Sequence, residues 1–133
     1  MKAPLIFDSS ALLKLFQKEP GFEKVIRILR VAQEENLRKL LNIINLGEII
    51  YITKKHFGNE KKLGILGNIH RLGFEILPAK DDLVFRAAEI KGDYPISYAD
   101  AFTMASALEH SAAVITSDPD FEKVSSFIEI IWV

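Results

Sequence analysis

Five short apolar runs punctuate this sequence: residues 3–7 (APLIF), 39–44 (KLLNII), 74–77 (FEIL), 112–116 (AAVIT) and 127–133 (FIEIIWV). Each is too short for an ordinary helix and reads as a buried strand. Longer segments with apolar residues at helical spacing separate them. Strands alternating with helices call for a parallel sheet covered on both faces. The predicted fold class is therefore α/β, in three layers (α/β/α), with a central parallel sheet of about five strands. The 133 residues, 49% of them hydrophobic, suit a single domain spanning 1–133 with a substantial core. No repeat, low-complexity tract or linker interrupts them.

The helical segments carry their own start and stop signals. Ser9 and Ser10 are placed to cap a helix bearing Leu12, Leu13 and Phe16, which Pro20 and Gly21 end. Phe22, Val25, Ile26 and Leu29 mark a second. Asn45 is expected to cap a third, with Leu46, Ile49, Ile50, Thr53 and Phe57 as its inward stripe and Gly58 closing it. In residues 60–72 the inward set is Leu63, Leu66 and Ile69. In residues 81–91 it is Leu83, Val84, Ala87 and Ala88. Ser97 caps a helix carrying Ala99, Ala101, Phe102, Ala105 and Leu108, apolar enough to be buried on most sides. Residues 118–124 (DPDFEKV) form a short helical turn.

Composition excludes several classes of function. Net charge is −1, so no global basic field recruits nucleic acid, although a local patch or a bound cation still can. There is no cysteine, which rules out disulfides and thiolate metal sites. The first 16 residues, MKAPLIFDSSALLKLF, are broken by Asp8 and Lys14 and lack a signal-peptide pattern. No uncharged run approaches the roughly 18 residues of a membrane span. A cytoplasmic protein without membrane contact is the expectation.

Four acids stand at related places. Asp8 follows the first strand and Asp118 the fourth. Glu48 is expected in the first turn of the helix after the second strand, and Asp100 in the first turn of the helix entering the fourth. Each has a structural explanation. Asp8 can cap a helix; Asn45 to Glu48 and Ser97 to Asp100 are spaced as capping boxes; Asp118 before Pro119 is an N-cap with proline at the first helical position. Their joint placement points further. In a parallel sheet all carboxyl ends face one way, and ligands bind there. A helix antiparallel to the strand it enters starts at that same rim, which brings in Asp100. Carboxylates crowded together repel and raise one another's pKa. A hard divalent cation relieves that repulsion, and oxygen-only ligation suits Mg²⁺, with Mn²⁺ as a close substitute. Ser9, Thr116 and Ser117 are placed to orient the carboxylates or to satisfy helix-start amides, with Asp120 as a solvated or supporting residue.

These motifs resemble a known family. IFDSSALLKLF with Asp8, INLGEIIYITKK with Glu48, ISYADAFTMASALEH with Asp100 and AVITSDPDF with Thr116 and Asp118 together are similar to the PIN domain. The likeness is greatest to the short single-domain type found in VapC toxins, and it spans nearly the whole chain. The resemblance implies a PIN-like parallel sheet and an acidic pocket binding Mg²⁺ or Mn²⁺. Asp8, Asp100 and Asp118 would be metal ligands, with Glu48 beside them as a catalytic acid. It implies endonucleolytic cleavage of RNA, a homodimer, and an antitoxin protein whose peptide plugs the pocket. A cation so held activates water and stabilises charge on a phosphoryl group. Lys14, Lys18, Lys54, Lys55, Lys61 and Lys62 are candidates to steer RNA, or else a solvated face. His56, His70 and His110 are expected at the surface or at helix C-termini.

Rival readings remain. A haloacid-dehalogenase-type phosphatase would use Asp8 as nucleophile, but it needs an acid two residues on, where Ser10 stands. A receiver-like domain needs an acidic pair near the first strand, where Asp8 is alone. A non-catalytic binding module and a housekeeping RNA-processing nuclease are the alternatives to a toxin ribonuclease.

Overall fold

Leu5, Ile6 and Phe7 alternate sides as strand residues must, and this alternation organises the molecule. In the computed structural model, which describes residues 2–133, Leu5 and Phe7 face one hydrophobic cluster and Ile6 the other. The elements in chain order are β1 (Leu5–Phe7), α1 (Ser9–Phe16), α2 (Phe22–Glu34), β2 (Lys39–Asn42), α3 (Ile43–Phe57) and α4 (Asn59–Arg71). They continue with β3 (Glu75–Leu77), α5 (Asp81–Asp93), α6 (Tyr98–His110), β4 (Ala113–Thr116), a 3-10 turn (Pro119–Val124) and β5 (Ile130–Trp132).

The five strands form one sheet in the order β3-β2-β1-β4-β5. Every neighbouring pair is parallel. One face packs Leu5, Phe7, Leu41, Ala113 and Ile115 against residues of α1–α4, among them Leu12, Val25, Ile49 and Ile65. The other packs Ile6, Leu40 and Val114 against α5, α6 and the 3-10 turn, including Ala87, Phe102, Ala105 and Phe121. The expected three-layer α/β/α architecture is thus present. Sequence order runs outward in both directions from β1, so the β1–β4 seam is the switch point where such sheets bind ligands.

Helix α6 is the most enclosed helix. Residues Asp100–Ala107 are all buried, as expected from its small and apolar side chains. Small residues let it lie close to the strands beneath. Its last turn ends on Ser111, in the left-handed region at φ 52°.

Several local expectations are corrected. Helix α1 is capped by Asp8, whose carboxylate accepts from the Ala11 amide, rather than by Ser9 or Ser10. Helix α3 begins at Ile43, three residues earlier than an Asn45 cap would place it, because Asn42 caps it by accepting from the Ile44 amide. Glu48 therefore lies in its second turn. In α4 the inward residues are Ile65 and Ile69, while Leu63 is 57% exposed. In α5, Ile90 takes the inward place given to Ala88, and Val84 points outward. Phe57, at the end of α3, is 54% exposed. Short helices tolerate several apolar stripes, and the one that meets the sheet is set by where the preceding strand ends. No helix among the described residues is long and apolar enough to cross a membrane.

Candidate active site

Asp8 continues the alternation of β1. Its backbone is extended (φ −89°, ψ 177°), so its side chain falls on the side of Ile6, beneath α6. Thr116, in the same phase as Val114, lies beside it and donates its hydroxyl to Asp8 Oδ2. Asp8 Oδ1 accepts from Ser10 Oγ (2.7 Å) and from the Ala11 amide (2.9 Å). Three donors thus fix a carboxylate that is 1% exposed. Burial nevertheless raises its pKa to about 6. The bonds from Thr116, Ser10 and Ala11 oppose that rise, and the charge of Asp118 adds to it.

The two hydroxyls lie side by side on the same carboxylate. Ser10 Oγ lies 3.3 Å from Thr116 Oγ1, with both hydroxyl protons already engaged by Asp8. Ser10 Oγ accepts from the Ser117 amide (3.1 Å), and Thr116 Oγ1 accepts from the Asp118 amide (2.9 Å). These bonds stitch the end of β4 to the start of α1. Asp118 then caps the 3-10 turn, its Oδ1 accepting from the Asp120 amide (2.9 Å), with Pro119 inside the turn.

Asp100 arrives from the opposite layer. Ser97 caps α6 by accepting from the Asp100 amide (3.1 Å), so the Asp100 carboxylate is not needed as a cap. It is 5% exposed, and its Oδ2 is buried without any hydrogen-bond partner. Its pKa is raised to about 8. Burial is the largest cause, followed by the contact with Asp118 and by the charges of Asp118 and Asp8, against a lowering bond to Ser97. Asp100, Asp118 and Asp120 each bring a carboxylate oxygen within 4.8 Å of the others. That grouping includes Asp120, expected only as a solvated or supporting residue, and does not include Asp8. The signal for Asp120 was present in the Asp-Pro-Asp spacing at a helix start.

Glu48 reaches the same neighbourhood from α3. Its Oε1 accepts from Ser9 Oγ (2.8 Å). Asn45, expected as a cap, is instead a fully buried clamp: Oδ1 accepts from the Ser9 amide (3.2 Å), and Nδ2 donates to Thr103 Oγ1 on α6 (2.6 Å). This ties α1, α3 and α6 together directly behind the acids. Ser117, beyond the end of β4, lines a groove on the α1–α3 side rather than touching a carboxylate.

The donor set is made of carboxylate and hydroxyl oxygens, with no cysteine in the chain. An orphaned, buried carboxylate oxygen on Asp100 beside two further acids fits a hard divalent cation, which would supply the missing partner. Among the candidate cations for RNA, Lys14 is engaged with the Val133 carbonyl (3.1 Å). Lys123, not anticipated, holds both the Pro95 carbonyl (2.9 Å) and Asp120 (3.2 Å) at the rim. His56, His70 and His110 each lie in the last turn of a helix, as expected.

The fold has close counterparts among solved structures. DNA-bound VapBC from Salmonella typhimurium matches with a TM-score of 0.79 at 17% identity, over 98% of each chain. VapBC2 from Rickettsia felis, bound to a promoter DNA fragment, gives 0.78 at 16% identity, over 96% of this chain and 97% of that one. VapC20 from Mycobacterium tuberculosis, described as a Sarcin-Ricin loop cleaving toxin, gives 0.75 at 16% identity, over 94% and 97%. No curated protein matches the chain in sequence. The PIN domain family model matches residues 5–126. That span runs from β1 past the last acid of the rim, and the chain belongs to the PIN domain family.

Proposed function

We propose that this protein is a divalent-metal-dependent endoribonuclease of the VapC toxin type, acting on RNA phosphodiester bonds and restrained by an antitoxin protein. The observation that carries this reading is the buried, unpartnered Asp100 Oδ2 set among Asp8, Asp118 and Asp120 at the carboxyl rim of the sheet. Asp100 and Asp118 would hold the cation, Mg²⁺ or Mn²⁺, with Asp120 and the remaining lone pair of Asp8 Oδ2 completing its ligands. When bound, such a cation supplies Lewis acidity toward a phosphoryl oxygen and lowers the pKa of water.

The chain's own groups do the rest. Ser10, Ala11 and Thr116 lock the Asp8 carboxylate in one orientation, so no reorganisation is needed when charge develops nearby. Ser9 occupies one oxygen of Glu48 and leaves the other as an acceptor for a water or a ribose hydroxyl. The amino ends of α1 and α6 lie at the rim and favour negative charge there. Similarity to VapBC assemblies supports an antitoxin partner; the homodimer is carried only by the PIN-domain resemblance of the sequence motifs.

The test is cleavage of mixed single-stranded RNAs in Mg²⁺ or Mn²⁺ against EDTA. Wild type is expected to cut only with metal, while folded Asp8→Asn and Asp100→Asn are inert. Equal cleavage in EDTA, or full activity in Asp100→Asn, would refute the metal-dependent reading. Co-expression with the product of a small neighbouring gene, where one is found, tests the antitoxin: a stable complex without activity is expected.

A further inference from the structure

A groove of about 680 Å³ opens beside the acids. It is lined by Ser10, Leu13, Gln17, Glu19, Ile52, His56, Phe57 and Ser117. It is continuous with the acidic site, because Ser10 Oγ is bonded both to Asp8 and to the Ser117 amide. Its surfaces differ in kind. Leu13, Ile52 and Phe57 make an apolar floor. Phe57 is 54% exposed and stands edge-on to His56, with ring centroids 6.4 Å apart. Gln17 and Glu19 bring an amide and a carboxylate, and Glu19 takes part in no ion pair among the described residues. The last turn of α3 adds Lys54 and Lys55, both exposed.

This combination is poorly suited to a phosphate, since the groove holds a carboxylate and neither Lys54 nor Lys55 lines it. It suits a nucleobase. Single-stranded RNA is recognised by stacking unpaired bases on aromatic rings and by hydrogen bonds to their edges. A glutamate carboxylate only accepts, so it favours a base that presents an exocyclic amine. We propose that this groove seats the base of a nucleotide flanking the scissile phosphate, stacked on Phe57, with its exocyclic amine read by Glu19. The inference rests on the ribonuclease reading and assigns that reading a specificity determinant. Adenine, cytosine and guanine present that amine; uracil offers only its ring N3–H and is the disfavoured base. Lys54 and Lys55 lie where the backbone leaves the groove.

Two measurements test it. The first is sequencing of the ends produced from a random pool of single-stranded RNAs in Mn²⁺. Wild type should show uracil depleted at one position next to the cut, and Glu19→Gln should lose that depletion. Phe57→Ala should raise KM by about tenfold or more, the loss expected for one stacked base. The second is binding of short labelled oligoribonucleotides in EDTA, where cleavage plays no part. There Phe57→Ala should weaken binding by a similar factor and Phe57→Tyr should preserve it. Unchanged cut-site profile and KM in both variants, with wild type active, would overturn the groove proposal and leave the nuclease reading standing. A wild type that binds in a Phe57-dependent way yet never cleaves would overturn the nuclease reading instead. Conversion of a wild-type dimer to monomer by Phe57→Ala in sedimentation would identify the groove as a subunit interface and also refute the proposal.

Discussion

Replacing Asp100 with Asn should make the metal-free protein more stable, although Asp100 is a proposed cation ligand. Its carboxylate makes no needed cap, because Ser97 already accepts from the Asp100 amide. Its Oδ2 has no partner to lose. In the unfolded chain the group titrates near 3.8; in the fold it titrates at about 8. The folded state therefore holds a proton that the unfolded state has released. Stability contributed by the neutral acid is full below pH 3.8 and declines as pH rises toward 8. Unscreened, that displacement corresponds to about 6 kcal/mol; solvent at the half-exposed Asp118 and Asp120 screens it to about 2–3 kcal/mol. Urea unfolding in EDTA across pH 4.5 to 8 is the assay. Asp100→Asn should exceed wild type by about 2–3 kcal/mol at pH 8, with the gap closing toward pH 4.5. Mg²⁺ at a hundredfold excess over its Kd should return about 2.7 kcal/mol to wild type and far less to the variant. A variant no more stable than wild type at pH 8, or an advantage that does not shrink with falling pH, would refute the reasoning.

Three other substitutions probe the same framework. Thr116→Val removes the donor to Asp8 Oδ2 and the acceptor of the Asp118 amide. It should cost about 1–3 kcal/mol in urea unfolding and move the Asp8 titration, followed by NMR of the carboxyl carbon, above about 6. Asn45→Ala opens the clamp between Ser9 and Thr103, and is expected to cost about 2–3 kcal/mol in thermal or urea unfolding. Asp118→Asn keeps a capping oxygen for the Asp120 amide, so stability in EDTA should stay within about 0.5 kcal/mol of wild type or rise. Mn²⁺ binding measured by calorimetry should fall sharply in that variant.

Much of the architecture was legible because it depends on patterns that survive folding intact. Short apolar runs ending at Phe7, Thr116 and Leu77 are strands in the structure. The enclosed helix Tyr98–His110 was recognisable from its small residues and its Ser97 cap. The rim of acids followed from parallel strands, which force Asp8 and Asp118 to one end. What was not legible depended on boundaries and on facing. Both Asn42 and Asn45 are sound caps in isolation. The choice of Asn42 rests on how far β2 pairs with β3, through Asn42 itself, which no local signal specifies. Leu63 and Ile65 are equally apolar, and only the position of the sheet decides which is buried. Asp120 joins the ligand grouping only through the turn of a 3-10 segment, where residues two apart in sequence sit side by side.

The acids at this rim had two explanations, as helix caps and as cation ligands, and the structure removes the conflict between them. A carboxylate has two oxygens. Asp118 caps with Oδ1 alone, and Asp8 caps and binds Ser10 with Oδ1 while Oδ2 keeps a lone pair after accepting from Thr116. Serine could cap either position as well, but it would leave no second anionic oxygen directed away from the helix. Capping fixes the orientation of the group; the remaining oxygen is then available without further ordering. Asp100 is the informative exception, because its helix is capped by another residue and its buried oxygen has no structural use. A buried carboxyl with an unpaired oxygen, its pKa raised to about 8 chiefly by burial, is a cost the fold alone does not explain. A cation at the β1–β4 seam would remove that cost.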